Sequence, residues 1–116
     1  MRSLELEVRT GRARGFTDLT PACVRFAAEA SQGGDGLLSV FLPHATAGLV
    51  LLELGSGSEP DALAALDRLL PLLAGPSVTI PVLGGRLELG VWQSIALLDP
   101  NPDNETRRVR LSFLAG

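Results

Sequence analysis

The sequence has no lysine and no tyrosine, and only one cysteine, one histidine and one tryptophan. Each scarcity excludes a class of chemistry. Without a lysine amine there is no Schiff-base route. All ten basic residues are arginine, whose guanidinium stays charged and forks onto carboxylates and phosphates. A single cysteine cannot form an intrachain disulfide or an all-cysteine metal cage. Cys23 follows Thr20-Pro21-Ala22, which reads as a helix start, so it falls in a first helical turn. That position allows either a thiol activated by the helix N-terminus or a small apolar filler. Aromatics make up 4% of the chain and the net charge is −3. Both argue against nucleic acid, which recruits stacking rings and basic surfaces. No apolar run approaches the roughly 20 residues that span a bilayer. The first strand alternates charged and apolar residues, unlike a signal peptide. A cytoplasmic protein without a membrane partner is expected.

The chain offers short aliphatic runs punctuated by glycine and proline. At 116 residues it reads as one domain, 1–116. Ser3 to Arg9 alternates strictly, which predicts a half-buried strand with Leu4, Leu6 and Val8 facing inward. Thr20-Pro21 is a cap and first-position pair, and Val24, Ala27 and Ala28 recur at helical spacing. Leu37–Leu42 and Gly48–Glu53 are short and almost wholly apolar, as strands buried on both faces are. A second helix is predicted from the capping-box spacing at Ser58, with Leu63, Leu66, Leu70 and Leu73 as its apolar stripe and Pro71 bending or ending it near Leu70. Ser77–Val82 carries Pro81, which places it at a sheet edge or bulge. Gly84-Gly85 is a hairpin turn. Val91–Leu98 is a further strand, Asp99–Asn104 a polar surface loop, and Arg108–Phe113 a closing strand. The expected fold is α+β: about seven mostly antiparallel strands in two packed sheets, with two main helices.

His44 interrupts two core strands, beside Pro43, in a loop where a scaffold positions functional groups. It reads as an acid/base catalyst or as a packed or solvated side chain. Thr46 adds a hydroxyl at close range. Glu53 ends the following strand, either as its solvent-facing terminus or as a buried partner. Arg86, after the glycine turn, is a candidate anion clamp or an outward residue paired with Glu88. A single tryptophan on a buried strand, such as Trp92, is usually core, and Gln93 points to the opposite face, so one of the pair faces a cavity, a subunit boundary or water. No spacing for a zinc site, a phosphate loop or a serine–histidine triad is present. The residues name no cofactor and give no metal ligands.

The string Ile80-Pro81-Val82-Leu83-Gly84-Gly85-Arg86-Leu87-Glu88-Leu89-Gly90-Val91-Trp92-Gln93-Ser94-Ile95 resembles the signature of the YjbQ family. So does Phe41-Leu42-Pro43-His44-Ala45-Thr46-Ala47-Gly48-Leu49, with Glu53 on the family's acidic position. Arg14-Gly15-Phe16 and Arg107-Arg108-Val109 fit as well. The resemblance implies a YjbQ-like sandwich, a homotrimer with sites near subunit boundaries, and secondary thiamine-phosphate synthase activity on a small phosphorylated or anionic ligand. Under it His44 and Glu53 are the catalytic residues, Thr46, Arg86, Trp92 and Gln93 bind the ligand, and His44, Thr46 and Glu53 converge with Arg86 or Gln93 in one concave site. The chain also departs from the pattern. The family's segment between second helix and Pro81 strand, with two further histidines, is missing between Gly75 and Pro76-Ser77. Leu52 and Leu54 replace asparagines, and Gly84 replaces the turn aspartate. The alternative is therefore a non-catalytic trimeric relative that kept the fold and lost the active-site histidines.

Overall fold

Alternation along the chain becomes two faces of a sheet. The computed structural model describes residues 1–9, 15–53, 75–99 and 106–116. Its elements are β1 (Arg2–Arg9), β2 (Gly15–Asp18), α1 (Thr20–Ser31), β3 (Gly36–Phe41), β4 (Gly48–Leu52), β5 (Ser77–Leu83), β6 (Arg86–Leu87), β7 (Ser94–Asp99) and β8 (Thr106–Ala115). They form a five-stranded sheet in the order β1-β8-β3-β5-β6 and a three-stranded sheet in the order β2-β7-β4. Every strand pair is antiparallel. The mostly antiparallel two-sheet expectation holds. One helix lies among the described residues, and the second helix expected from Ser58 lies outside them.

Strand register sorts the side chains. Leu38 stands beside Ile80 and Phe113, and Val40 beside Val78 and Leu111, so one face of the large sheet is aliphatic. That face joins Leu49, Ile95 and Leu97 of the small sheet and Cys23, Phe26, Ala27 and Ala30 of α1 in one core. The helix stripe is therefore 23-26-27-30. Val24 and Ala28 of the expected stripe face outward. Spacing of three and four starting from Cys23 captures the larger Phe26, and burial of that ring decides the rotation. Cys23 is wholly enclosed, and burial, with the Asp18 charge, pushes its thiol up to about 12. It is the apolar filler.

Two local devices match the sequence reading, one start is displaced and one strand is additional. Gly84 and Gly85 take φ of 58° and 80°, the paired positive values of a tight hairpin. The Pro81 carbonyl accepts from Glu88 N at 3.0 Å, so the missing N–H of Pro81 faces the same side. β6 pairs in the ladder only with Val82 and Leu83, so Pro81 faces the margin of this two-residue strand and not β3, where a missing donor would cost a ladder bond. The α1 start differs from expectation: Thr20 is the first helical residue, its N–H donates to Asp18 Oδ1 at 2.9 Å, and its hydroxyl accepts from Ile95 N. Leu19 is the N-cap and its side chain offers no acceptor, so the Asp18 carboxylate one residue earlier takes the first helical N–H. The short β2 was not foreseen, since Gly-Phe-Thr-Asp shows no alternation to read.

Candidate functional site

Ends of strands from both sheets gather at one end of the fold. β1 ends at Arg9 opposite Thr106, the start of β8. β2 begins at Gly15 opposite Asp99, the end of β7. β3 ends at Phe41 opposite Ser77, and β4 begins at Gly48 opposite Leu98. The β3–β4 loop is held there by bonds from Leu42 N to Pro76 O and Leu49 N to Gly75 O, at 2.7 and 2.8 Å. His44 and Thr46 ride on this loop.

Two consecutive residues of β8 fix them. Arg107 points into the core end and is 3% exposed, against 2% for Asp99. Its Nε donates to Asp99 Oδ2 at 2.7 Å and its Nη2 to Asp99 Oδ1 at 3.1 Å. This is the bidentate fork that makes a buried charge pair tolerable. The same Nη2 donates to Thr46 Oγ1 at 3.3 Å. The next residue's backbone N–H, on Arg108, donates to His44 Nε2 at 3.0 Å. Nε2 therefore carries a lone pair, and the neutral ring holds its proton on Nδ1.

Protonating Nε2 would set two donors against each other. Burial lowers the His44 pKa below 6.5, the Arg107 and Arg108 charges lower it further, and Asp99 opposes them. Between the lowered native value and the unfolded one the unfolded chain binds more protons, so stability rises with pH in that window. The contribution is complete above about 6.5 and is lost as pH falls through the native value. A His44→Gln variant keeps an acceptor near the Nε2 position but cannot titrate. Its melting temperature should fall less than that of the parent between pH 7.5 and 5. Equal falls would show that the ring does not hold this bond.

The six expected site residues separate into three places. His44 and Thr46 meet at the corner just described. Arg86 is exposed in the β5–β6 hairpin, opposite Leu83. β5 is seven residues long, and at roughly 3.3 Å per residue its ends are about 20 Å apart. Arg86 is thus at the far end from His44, where Gly84 N donates to Asp35 Oδ1 at 2.8 Å. Glu53 follows β4, whose last residue Leu52 pairs with Ser94, so it lies beside Gln93 at the far end of the small sheet. Its side chain is exposed.

The expected Val91–Leu98 strand begins only at Ser94, because Gly90–Gln93 closes a turn. Gln93 N donates to Gly90 O at 3.0 Å, and Gly90 N donates to Gln93 Oε1 at 2.8 Å. The turn presents Val91 and Trp92 at 89% and 73% exposure, so Trp92 is not core. The residues that the sequence reading missed at the corner are Asp99 and Arg107. Asp99 opens a run of Pro, Asn and Asp that reads as a surface loop, yet the side chain turns inward to Arg107. A carboxylate ending an apolar strand eight residues before an arginine was the available signal.

Comparison with known proteins supplies the lineage. The family described as "UPF0047 protein YjbQ-like" matches residues 4–74 and 71–116. The chain belongs to the YjbQ-like UPF0047 family. The two matched stretches overlap at 71–74, just before the Gly75–Pro76 junction. The UPF0047 protein of Mycobacterium bovis is 43% identical over 132 positions, covering 96% of this chain and 99% of that relative. A chain of 116 residues cannot fill 132 positions, so this YjbQ relative carries residues without a counterpart here. The UPF0047 protein of Archaeoglobus fulgidus is 31% identical, covering 96% of this chain and all of its own. Among solved structures, a hypothetical protein of Aeropyrum pernix superposes with TM-score 0.86 at 28% identity over both whole chains. A YbjQ-like protein of unknown function from Sulfolobus solfataricus gives 0.88 at 21% identity, covering 99% and 97%, and shares the fold.

Proposed function

We propose that the corner at His44 binds a small oxyanion, phosphate or carboxylate, carried on a metabolite. The observation behind this is the polarity of what is left over. The acceptor positions of His44 and Thr46 are engaged by β8 donors, and Asp99 is engaged by Arg107. Nδ1–H of His44, the hydroxyl hydrogen of Thr46 and the Arg108 guanidinium remain, and all are donors. Donors without acceptors among the described residues suit an anion.

The same bonding favours binding over catalysis, since the His44 nitrogen that a general base would use is already an acceptor for Arg108 N–H. Thiamine-phosphate formation, which the family resemblance implies, displaces pyrophosphate and ordinarily recruits Mg²⁺ through carboxylates. Among the described residues no three His, Cys, Asp or Glu side chains group to hold a metal. The direct test is a titration with inorganic phosphate while following the His44 ring signals by NMR. Saturable shifts are expected, and no shift at high millimolar phosphate would refute the site. Thiamine-phosphate formation by the purified protein that vanishes in His44→Ala would restore the catalytic reading.

The homotrimer is part of the same proposal. Exposed Val91 and Trp92, with Leu37, Leu83 and Leu114 on the outer face of the large sheet, are apolar surface that a partner copy would cover. Light scattering that returns 12.2 kDa at micromolar concentration would exclude it.

A further inference from the structure

Two adjacent arginines stand at the corner, and strand alternation gives them opposite fates. Arg107 faces inward, where Asp99 takes two of its N–H bonds and cancels its charge, and Thr46 takes another contact. A guanidinium held this way has neither free charge nor free reach for a ligand. Arg108 faces outward and is exposed. Glu7 stands opposite it in register. Yet the Arg108 guanidinium forms no ion pair or hydrogen bond with any described residue, unlike Arg110, which pairs with Glu5 at 2.8 Å. Its own backbone N–H grips the His44 ring at 3.0 Å, and its charge is felt by that ring.

We propose that Arg108 is the clamp for the ligand's oxyanion, and that Arg107 is withheld from that task by Asp99 and serves only to hold the corner together. This rests on the reading of the corner as an oxyanion site. It moves the anion clamp from Arg86, at the far hairpin, to a residue whose main chain already fixes the other ligand donor. The Nδ1–H of His44, unengaged by any described residue, and the Arg108 fork then act as a pair. The ring supplies a neutral, direction-setting hydrogen bond and the guanidinium supplies the charge.

The experiment compares the parent, Arg108→Gln and Arg108→Lys, each titrated with inorganic phosphate and with acetate while the His44 ring is followed by NMR. The His44 anchor is a backbone N–H, so both variants retain it, and an exposed side chain should leave the melting temperature nearly unchanged. A charge-assisted hydrogen bond contributes about 1.5–3 kcal/mol, so Arg108→Gln should weaken binding by roughly 10- to 100-fold. Arg108→Lys should recover only part of it, because an ammonium cannot fork. Whichever of phosphate and acetate binds the parent more tightly identifies the ligand's group. If the parent binds and Arg108→Gln binds equally well, the clamp assignment is overturned while the oxyanion site stands. If neither anion moves the His44 signals of the parent, both readings fall together.

Discussion

Arg107→Met is expected to destabilise the fold by about 3–5 kcal/mol, the range for removing one partner of a buried ion pair. Asp99 is 2% exposed and would lose both arms of the guanidinium fork that neutralises it. Thr46 would lose its donor as well, loosening the β3–β4 loop. Urea unfolding at neutral pH measures the loss as a lower midpoint with an unchanged slope. The double variant Asp99→Leu with Arg107→Met removes the charges together and should recover most of it, since apolar replacement of a whole buried pair is often neutral. A single-variant cost below about 1 kcal/mol would match an exposed pair and contradict the enclosed geometry.

A methyl group at Gly36 should cost at least about 2 kcal/mol, in the upper part of the range for overpacking a filled interior. A Cβ on Gly36 would overlap the carbonyl oxygen of Leu114 and sit 2.7 Å from Cζ of Phe113. Both obstacles belong to β8, the strand that pairs with β3 at this residue. Neither can step aside, one being backbone and the other a buried ring. Gly15→Ala is the control, since a Cβ there meets nothing within 4 Å. Thermal melts of the two variants side by side should show a large drop for Gly36→Ala and almost none for Gly15→Ala. Similar melting temperatures would mean that β3 and β8 are not paired in this register.

Period-2 patterns in β1 and β8 were legible because each strand shows one face to the core, whereas β3 and β4, expected to be buried on both faces, leave Leu37, Phe41 and Leu51 exposed. Pro81 and the Gly84-Gly85 pair were legible because their backbone restrictions act locally. The site was only half legible. His44 and Thr46 share a loop, so nearness in sequence brought them together. Arg86, Glu53 and Gln93 looked close to them because they flank the same strands. Strand direction separates them, and it depends on which strand end pairs with which, a property no short window contains. Asp99 was missed for a related reason: a carboxylate after Leu98 and before Pro100 is polar in composition, and only its partner on the next strand draws it inward. Trp92 misled because a lone tryptophan in a β-rich stretch is usually enclosed, whereas the Gly90–Gln93 turn lifts it out.

The position of β8 governs when this molecule is able to assemble. It lies between β1 and β3, bonded to Arg2–Arg9 on one side and to Gly36–Phe41 on the other. During synthesis, β1 and β3 emerge early and wait with unsatisfied edges until residues 106–115 have left the ribosome. Pairing strands about a hundred positions apart closes very long loops, which slows folding relative to domains built from neighbours. The nascent chain therefore spends its vulnerable interval with aliphatic strands uncovered, when chaperone capture and misassembly compete with folding. Cutting the chain before Thr106 should leave a fragment that holds no native large sheet, because the strand that joins its two halves lies beyond the cut.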